Sequence, residues 1–165
     1  MIETERLLLR EWTRDDRHDL KRLLTDPDVM RYYPAPFTDE RVEAWLQWQL
    51  DSYRDHGHGL WKMLLRETGE FAGQCGLVVQ DIEGTSEIEV GYHVLPHLWR
   101  RGLAGEAAAA CRDYARDMLG IRRLVAIVGP DNVPSQGVAR KIGMDVERSF
   151  VRKGMPTLLF AMELT

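Results

Sequence analysis

The chain has 165 residues and a formal net charge of −4 at pH 7, with 44% hydrophobic and 29% charged residues. This length suits one ordinary domain with a good core, so we expect residues 1–165 to form a single domain. The mild acidity gives no support to nucleic-acid binding, which usually leaves a basic footprint. The apolar runs are far shorter than the ~20 residues of a membrane span, so we expect no membrane partner.

The N-terminal third predicts one strand followed by two helices. A short apolar run predicts a strand over residues 7–11, and leucines at helical spacing predict a helix over residues 15–24. Prolines then predict a loop around residues 33–36. Thr38 precedes two acidic residues, a pattern typical of a helix start, and predicts a second helix that ends near residue 55.

The middle of the chain predicts three strands. Residues 60–66 and 71–80 form two apolar segments joined by a Gly-containing turn, which predicts a hairpin with Gly69 at positive φ. The next strand is expected over residues 87–94, after a turn at Gly84.

The remaining residues predict alternating helices and strands. We expect helices over residues 102–119 and 134–141 and strands over residues 124–128, 145–152 and 158–164. The order of elements is therefore β-α-α-β-β-β-α-β-α-β-β. It predicts an α/β fold in which helices flank both faces of a mixed central sheet.

The segment most informative about function joins the strand at residues 87–94 to the helix that begins near Gly102. The first N–H groups of a helix have no partner within the helix, and its dipole is positive there. Gly102 and Gly105 allow a ligand to approach the backbone closely. These features fit a phosphate cradle, although a capped structural helix is an equal alternative from physics alone. Neither the Walker P-loop nor the dinucleotide-binding fingerprint is present.

This segment resembles the pyrophosphate loop of the GNAT superfamily of N-acetyltransferases. It reads Pro-x-x-Trp-x-Arg-Gly-x-Ala-x-Glu-Ala, with Trp99 where the superfamily usually has Gln or Arg. That departure is typical of the RimJ/RimL-like branch, and the resemblance implies the GNAT fold with acetyl-CoA as the acetyl donor. Further resemblances to the branch occur in the same order along the chain: residues 4–10, 26–32, 67–73, 132–135 and 141–144.

The resemblance also implies a set of cofactor-binding residues. Asn132 is expected to bind the pantetheine or, as an equal alternative, to cap a helix. The developing oxyanion would be met by a backbone N–H near Val94 or Leu95. The side chains of Arg100 and Arg101 are expected to add charge at the phosphates. The backbone amides expected to hold the pyrophosphate belong to Arg100, Arg101, Gly102, Leu103, Ala104 and Gly105.

Direct transfer to an amine requires a base, because only the unprotonated amine attacks. The resemblance implies Glu89 as the base, because it matches the glutamate of the family's Glu-Ile/Val-Gly-Tyr strand, and Glu87 or a water molecule is the substitute. The tyrosine that serves many GNAT enzymes as general acid is replaced here by Ala139, which leaves Ser135 or water to protonate the leaving thiolate.

The acceptor is the least defined part of the prediction. Tyr32, Tyr33 and Phe37 are expected to shape its pocket, and no metal is expected, since the chain has only two cysteines and no metal-ligand spacing. The resemblance implies a peptide N-terminus or a small amine as acceptor, and suits a homodimer. The free cysteines and the acidic N-terminus predict a cytoplasmic protein. The competing function is a GNAT-fold module that senses acyl-CoA without catalysis.

Overall fold

The computed structural model describes residues 1–165 as four α-helices around one eight-stranded sheet. The predicted α/β class and the order of the predicted elements are confirmed. No helix is long and apolar enough to cross a membrane. The four helices are α1 Arg17–Leu24, α2 Asp39–His56, α3 Leu103–Asp117 and α4 Val133–Lys141. The strands are β1 Ile2–Glu3, β2 Leu7–Glu11, β3 Leu60–Leu65, β4 Phe71–Ile82, β5 Thr85–Val94, β6 Arg123–Val128, β7 Asp145–Arg152 and β8 Met155–Glu163.

The differences from the prediction include one additional strand and two strands that begin early. The two-residue strand β1 was not predicted, because so short a segment has no periodicity and forms only by pairing with β2. Strand β5 begins at Thr85 and β8 begins at Met155, earlier than expected. In both cases a two-residue turn with positive φ at both positions, Glu83–Gly84 and Lys153–Gly154, closes the hairpin tightly.

The strand order in the sheet is β1-β2-β3-β4-β5-β6-β8-β7. All neighbouring strands are antiparallel except β5 and β6, which run parallel and pair at a single position, Glu89 with Val125. Two adjacent strands that pair at only one position separate on either side of it. This separation places an opening in the middle of the sheet, beside Glu89.

Apolar residues fill both faces of the sheet. The larger core lies between the sheet and α3 with α4, where Ala107, Cys111 and Ala139 are fully buried. The second core lies under α1 and α2 and includes Leu20 and Leu46. Burying a leucine side chain contributes ~1.5–3 kcal/mol. The two cores therefore fix the helices against the strands that border the opening.

Candidate active site

The loop between β5 and α3 presents a row of backbone donors. Arg100 and Gly102 have φ of 64° and 77°, so the chain turns sharply before α3. The first hydrogen bond of the helix runs from Glu106 N to Gly102 O at 3.1 Å. None of the backbone N–H groups of residues 100–105 donates to a protein acceptor. Such a row of free N–H groups at a helix N-terminus is suited to bind an anion such as a diphosphate.

The N-terminal segment of the chain holds this loop in place. Arg6 donates from Nη1 to the carbonyl oxygen of Arg101 at 2.7 Å and from Nε to Glu106 at 2.8 Å. The hydroxyl of Thr4 also donates to Glu106, at 2.5 Å. Sequence reasoning did not give Arg6 or Glu106 a role in the site. Because 100 positions separate the two residues, no local pattern predicts their contact. The one available signal is that each lies in a segment that resembles the family, residues 4–10 for Arg6 and the pyrophosphate-loop motif for Glu106.

Trp99 ties the start of the loop to the end of β5. Its indole Nε1 donates to the carbonyl oxygen of Val94 at 2.6 Å, while 43% of the residue is exposed. The N–H of Leu95 donates to the carbonyl oxygen of Ala72 at 2.9 Å. The N–H of Leu95 therefore already has an acceptor within the protein. Of the two amides expected to meet the oxyanion, Val94 and Leu95, this favours Val94.

Lys141, at the end of α4, lies over the first turn of α3. A Cβ added to Gly105 would be 3.5 Å from Lys141 Nζ, and this lysine makes no ion pair. Arg100 and Arg101 are exposed and likewise have no carboxylate partner. The loop thus combines free backbone donors with nearby cationic side chains. A diphosphate would be met by both.

A cleft of about 690 Å³ lies beside the loop, where β5 and β6 separate. It brings together six residues that the sequence suggested: Tyr32, Tyr33, Phe37, Glu89, Asn132 and Ser135. Val94, Leu95 and residues 100–105 do not line it. The candidate site therefore has two parts, a donor loop at the start of α3 and a separate cleft.

Glu89 is the only carboxylate that lines the cleft. Burial raises the pKa of Glu89 above its usual value, and the positive charges of Arg152 and Lys153 partly oppose the increase. Gln80 opposes it as well, because its Nε2 donates to Glu89 Oε1 at 3.1 Å. A carboxylate with a raised pKa in a cleft has the properties of a general base.

Glu87, the substitute base, is engaged elsewhere. Its carboxylate accepts a hydrogen bond of 2.8 Å from Arg123 Nη2, and Arg123 also binds Glu147. Glu87 does not line the cleft. The structure therefore favours Glu89 over Glu87 as the group available to a substrate.

Ser135 lies on the cleft wall beside a tyrosine that the sequence analysis did not assign. The Ser135 hydroxyl donates to Tyr92 Oη at 3.2 Å, and the Tyr92 hydroxyl donates to the Ser135 carbonyl oxygen at 2.8 Å. Burial raises the pKa of Tyr92 to about 12. Ala139 is fully buried in the core, so no hydroxyl projects from that position. The hydroxyl groups available at this wall are therefore those of Ser135 and Tyr92.

Asn132 is the N-cap residue of α4. Its Oδ1 accepts a hydrogen bond of 3.2 Å from Ser135 N, which confirms the alternative of a helix cap. Its side-chain amide donates no hydrogen bond to the protein, and the residue lines the cleft. The same side chain can therefore cap the helix and donate to a ligand.

His93 occupies the other end of the cleft. Its two ring nitrogens contact Tyr33 Oη at 3.1 Å and Gln74 Nε2 at 3.0 Å. Burial lowers the pKa of His93 to about 4 and raises that of Tyr33. His93 is therefore neutral at physiological pH, and it makes no hydrogen bond to Glu89.

Aromatic side chains form the wall of the cleft under α2. Phe37 packs edge-on against both Tyr33 and Trp45, with ring centroids 6.1 Å and 5.4 Å apart. Tyr32 and Tyr33 leave 37% and 38% of their surfaces exposed at the rim. The loop before α2 and the helix itself thus supply an apolar wall of the cleft that Glu89 also lines.

The acetyltransferase (GNAT) domain family matches residues 6–145, and this chain belongs to that family.

Relatives agree with this assignment over nearly the full length. YkkB of Bacillus subtilis (strain 168), an uncharacterized protein, is 35% identical over 160 residues, covering 96% of this chain and 93% of YkkB. The uncharacterized N-acetyltransferase YnaD of the same strain is 31% identical over 158 residues, covering 94% and 88%. Among solved structures, the acetyltransferase from Agrobacterium tumefaciens str. C58 superposes with a TM-score of 0.87 at 29% identity, covering 99% of this chain and 94% of the other.

Proposed function

We propose that this N-acetyltransferase moves the acetyl group of acetyl-CoA to a primary amine, by direct attack in a ternary complex, and that it belongs to the RimJ/RimL-like branch. The observation that carries the proposal is the placement of the Glu89 carboxylate, with its raised pKa, in a cleft beside a loop of free backbone donors. The cleft suits a base that acts on an amine, and the loop suits the diphosphate of a coenzyme.

The residues of the loop fit the coenzyme. The amides of residues 100–105 are free to bind the pyrophosphate, and Arg100, Arg101 and Lys141 would add positive charge. Asn132 would donate its side-chain amide to the pantetheine. When bound, acetyl-CoA supplies an activated acetyl thioester.

Glu89 would accept the proton of the attacking amine, directly or through a water molecule. The raised pKa of Glu89 brings its basicity closer to that of the amine, which favours proton transfer. Gln80 donates to Oε1 of this carboxylate, and the backbone of Ile127 also hydrogen-bonds to Glu89, so both contacts hold the carboxylate in place in the cleft.

Ser135 would protonate the departing thiolate by turning its O–H from Tyr92 Oη, its acceptor in the structure, to the sulfur, and it would take a proton back from the Tyr92 hydroxyl 3.2 Å away. This pair would take the place of the tyrosine that Ala139 replaces. The amide of Val94 remains our candidate for the developing negative charge on oxygen, since the N–H of Leu95 is already bonded.

We further propose that the acceptor is an α-amine and not a lysine ε-amine. At pH 7.5, removing a proton costs under about 1 kcal/mol for an α-amine and roughly 4 kcal/mol for a lysine. Tyr32, Tyr33 and Phe37 would pack against the substituent next to the amine. Such a wall fits a small side chain.

The test is CoA release from acetyl-CoA with a panel of amines. The panel contains short peptides with free or acetyl-blocked N-termini, lysine derivatives, polyamines and aminoglycosides. We expect turnover of the free α-amines. The matched control is the N-terminally blocked lysine peptide, which has only an ε-amine and should not react.

Two results would contradict parts of this proposal. Turnover of the blocked lysine peptide without turnover of any α-amine would overturn the choice of acceptor and leave the acetyltransferase assignment intact. Binding of acetyl-CoA without acetylation of any amine would favour the alternative, a module that senses acyl-CoA.

A further inference from the structure

Positive charge is concentrated around the cleft of this acidic protein. The chain carries a net charge of −4, yet the charged side chains that line the cleft are three cations and one carboxylate. Arg41 comes from α2, and Arg152 and Lys153 come from the hairpin between β7 and β8. The carboxylate is Glu89. The excess of cations is therefore local and does not reflect the overall composition.

The three cations have no carboxylate partners within the protein. The guanidinium of Arg41 stacks on the Phe37 ring, 4.0 Å from its centroid. Arg152 donates only to neutral oxygens, the Asp81 carbonyl at 2.9 Å and Gln80 Oε1 at 3.2 Å. Lys153 makes neither a hydrogen bond nor an ion pair.

Another arginine of the same hairpin shows the contrast. Arg148 on β7 forms an ion pair with Glu83 and does not line the cleft. The cations that do face the cleft retain unused N–H donors, which are available to an anionic ligand.

The coenzyme phosphates do not account for these cations. The loop of residues 100–105, with its free amides, does not line the cleft. Arg41 instead packs on Phe37 of the aromatic wall that we assign to the acceptor, and Arg152 lies beside Gln80, which donates to Glu89. An anion bound by these cations would therefore belong to the acceptor.

Arg152 and the proposed base share one neighbour, and Arg41 and Lys153 line the same cleft. A single side-chain amide, that of Gln80, donates to Glu89 and accepts from Arg152. Phe37 connects Arg41 to the same wall, because it packs against both the Arg41 guanidinium and the Tyr33 ring. A cleft of about 690 Å³ is in the range of sites for small molecules.

We propose that the acceptor is a small amine that also carries a carboxylate, which Arg41, Arg152 and Lys153 bind while the amine meets Glu89. This inference rests on the proposed acetyl transfer and narrows its substrate class. A polyamine would place additional positive charge against the same three cations, which disfavours it. The matching substrates are amino acids and short peptides with a free C-terminus.

The experiment compares glycine-terminated dipeptides with the same dipeptides as C-terminal amides. Within each pair, the acid and the amide have the same backbone and the same distance from the α-amine to the C-terminal group. They differ only in the charge of that group, so the comparison isolates the carboxylate. We expect Arg41→Gln and Lys153→Gln each to lower about tenfold the ratio of kcat/KM for the acid to kcat/KM for the matching amide, because any effect on Glu89 or on the aromatic wall is common to both substrates. Arg148→Gln is the matched control and should leave this ratio unchanged.

Two results would overturn the inference and leave the acetyltransferase assignment intact. One is an equal loss of kcat/KM for acids and amides in the variants. The other is a wild-type preference for spermidine over every acid. Calorimetric titration of the dipeptides into the CoA-saturated protein gives a readout independent of turnover. Tighter binding of the acid than of the amide, lost in Arg41→Gln, supports the inference. Equal binding of the acid and the amide overturns the inference. This readout does not depend on acetylation, so it tests the carboxylate site even if the proposed function fails.

Discussion

Gln80 donates a hydrogen bond of 3.1 Å to the carboxylate of Glu89, the proposed base. This bond stabilises the ionised carboxylate and so opposes the effect of burial, which raises the pKa of Glu89. The amide of Gln80 also accepts from Arg152, which fixes its orientation. Gln80 therefore helps to set the pH range in which Glu89 is ionised.

The substitution Gln80→Leu should shift the pH dependence of activity. Loss of the hydrogen bond raises the pKa of Glu89 further. As the pH is lowered, the carboxylate of the variant therefore becomes protonated, and inactive as a base, at a higher pH than that of the wild type. We expect the acid limb of kcat/KM to move to higher pH relative to the wild type, with near-equal values at pH 9. The measurement is kcat/KM from pH 5.5 to 9.5 with one acceptor. An unchanged acid limb would show that Glu89 does not control the rate.

The substitution Gly105→Asp should weaken binding of acetyl-CoA at least tenfold. It would place a carboxylate at the amides proposed to hold the pyrophosphate and beside Lys141. An acidic residue in the first turn of a helix is compatible with folding. Isothermal titration calorimetry provides the measurement.

Two controls accompany this variant. Gly105→Ala adds only a Cβ, and Gly137→Asp adds the same carboxylate to α4, where a Cβ meets nothing within 4 Å. Both should bind acetyl-CoA nearly as the wild type does. Wild-type affinity in Gly105→Asp would place the coenzyme phosphates elsewhere.

Ser135→Ala should lower kcat about 10- to 100-fold and leave the Kd for CoA unchanged, because the hydroxyl is proposed to act only on the leaving thiolate. Tyr92→Phe should have a smaller effect on kcat, since Tyr92 contacts Ser135 through its hydroxyl. Thermal unfolding of both variants separates a loss of catalysis from a loss of stability. Full activity in Ser135→Ala would leave water as the acid.

Local patterns predicted the parts of the site that are contiguous in sequence. The donor loop could be predicted because β5, the glycines at positions 102 and 105 and the start of α3 follow one another. Glu89 could be placed near the cleft because it lies on the strand that leads into this loop.

Contacts between distant residues could not be predicted from the sequence. Arg6 reaches Glu106 across 100 positions, and Arg152 reaches Gln80 across 72. Whether such residues meet depends on the order of the strands in the sheet, which no local pattern specifies. The cations of the cleft, and hence the inferred carboxylate of the acceptor, emerged only from the three-dimensional arrangement.

The most direct test of the central claim is kcat/KM for Glu89→Gln over a range of pH, with an α-amine acceptor. We predict a loss of about 10²–10⁴ at pH 7 that shrinks toward high pH, where the amine loses its proton without help. Glu87→Gln is the matched control and should retain activity, because Glu87 binds Arg123 outside the cleft. Wild-type kcat/KM in Glu89→Gln at every pH would contradict the account and assign proton removal to solvent.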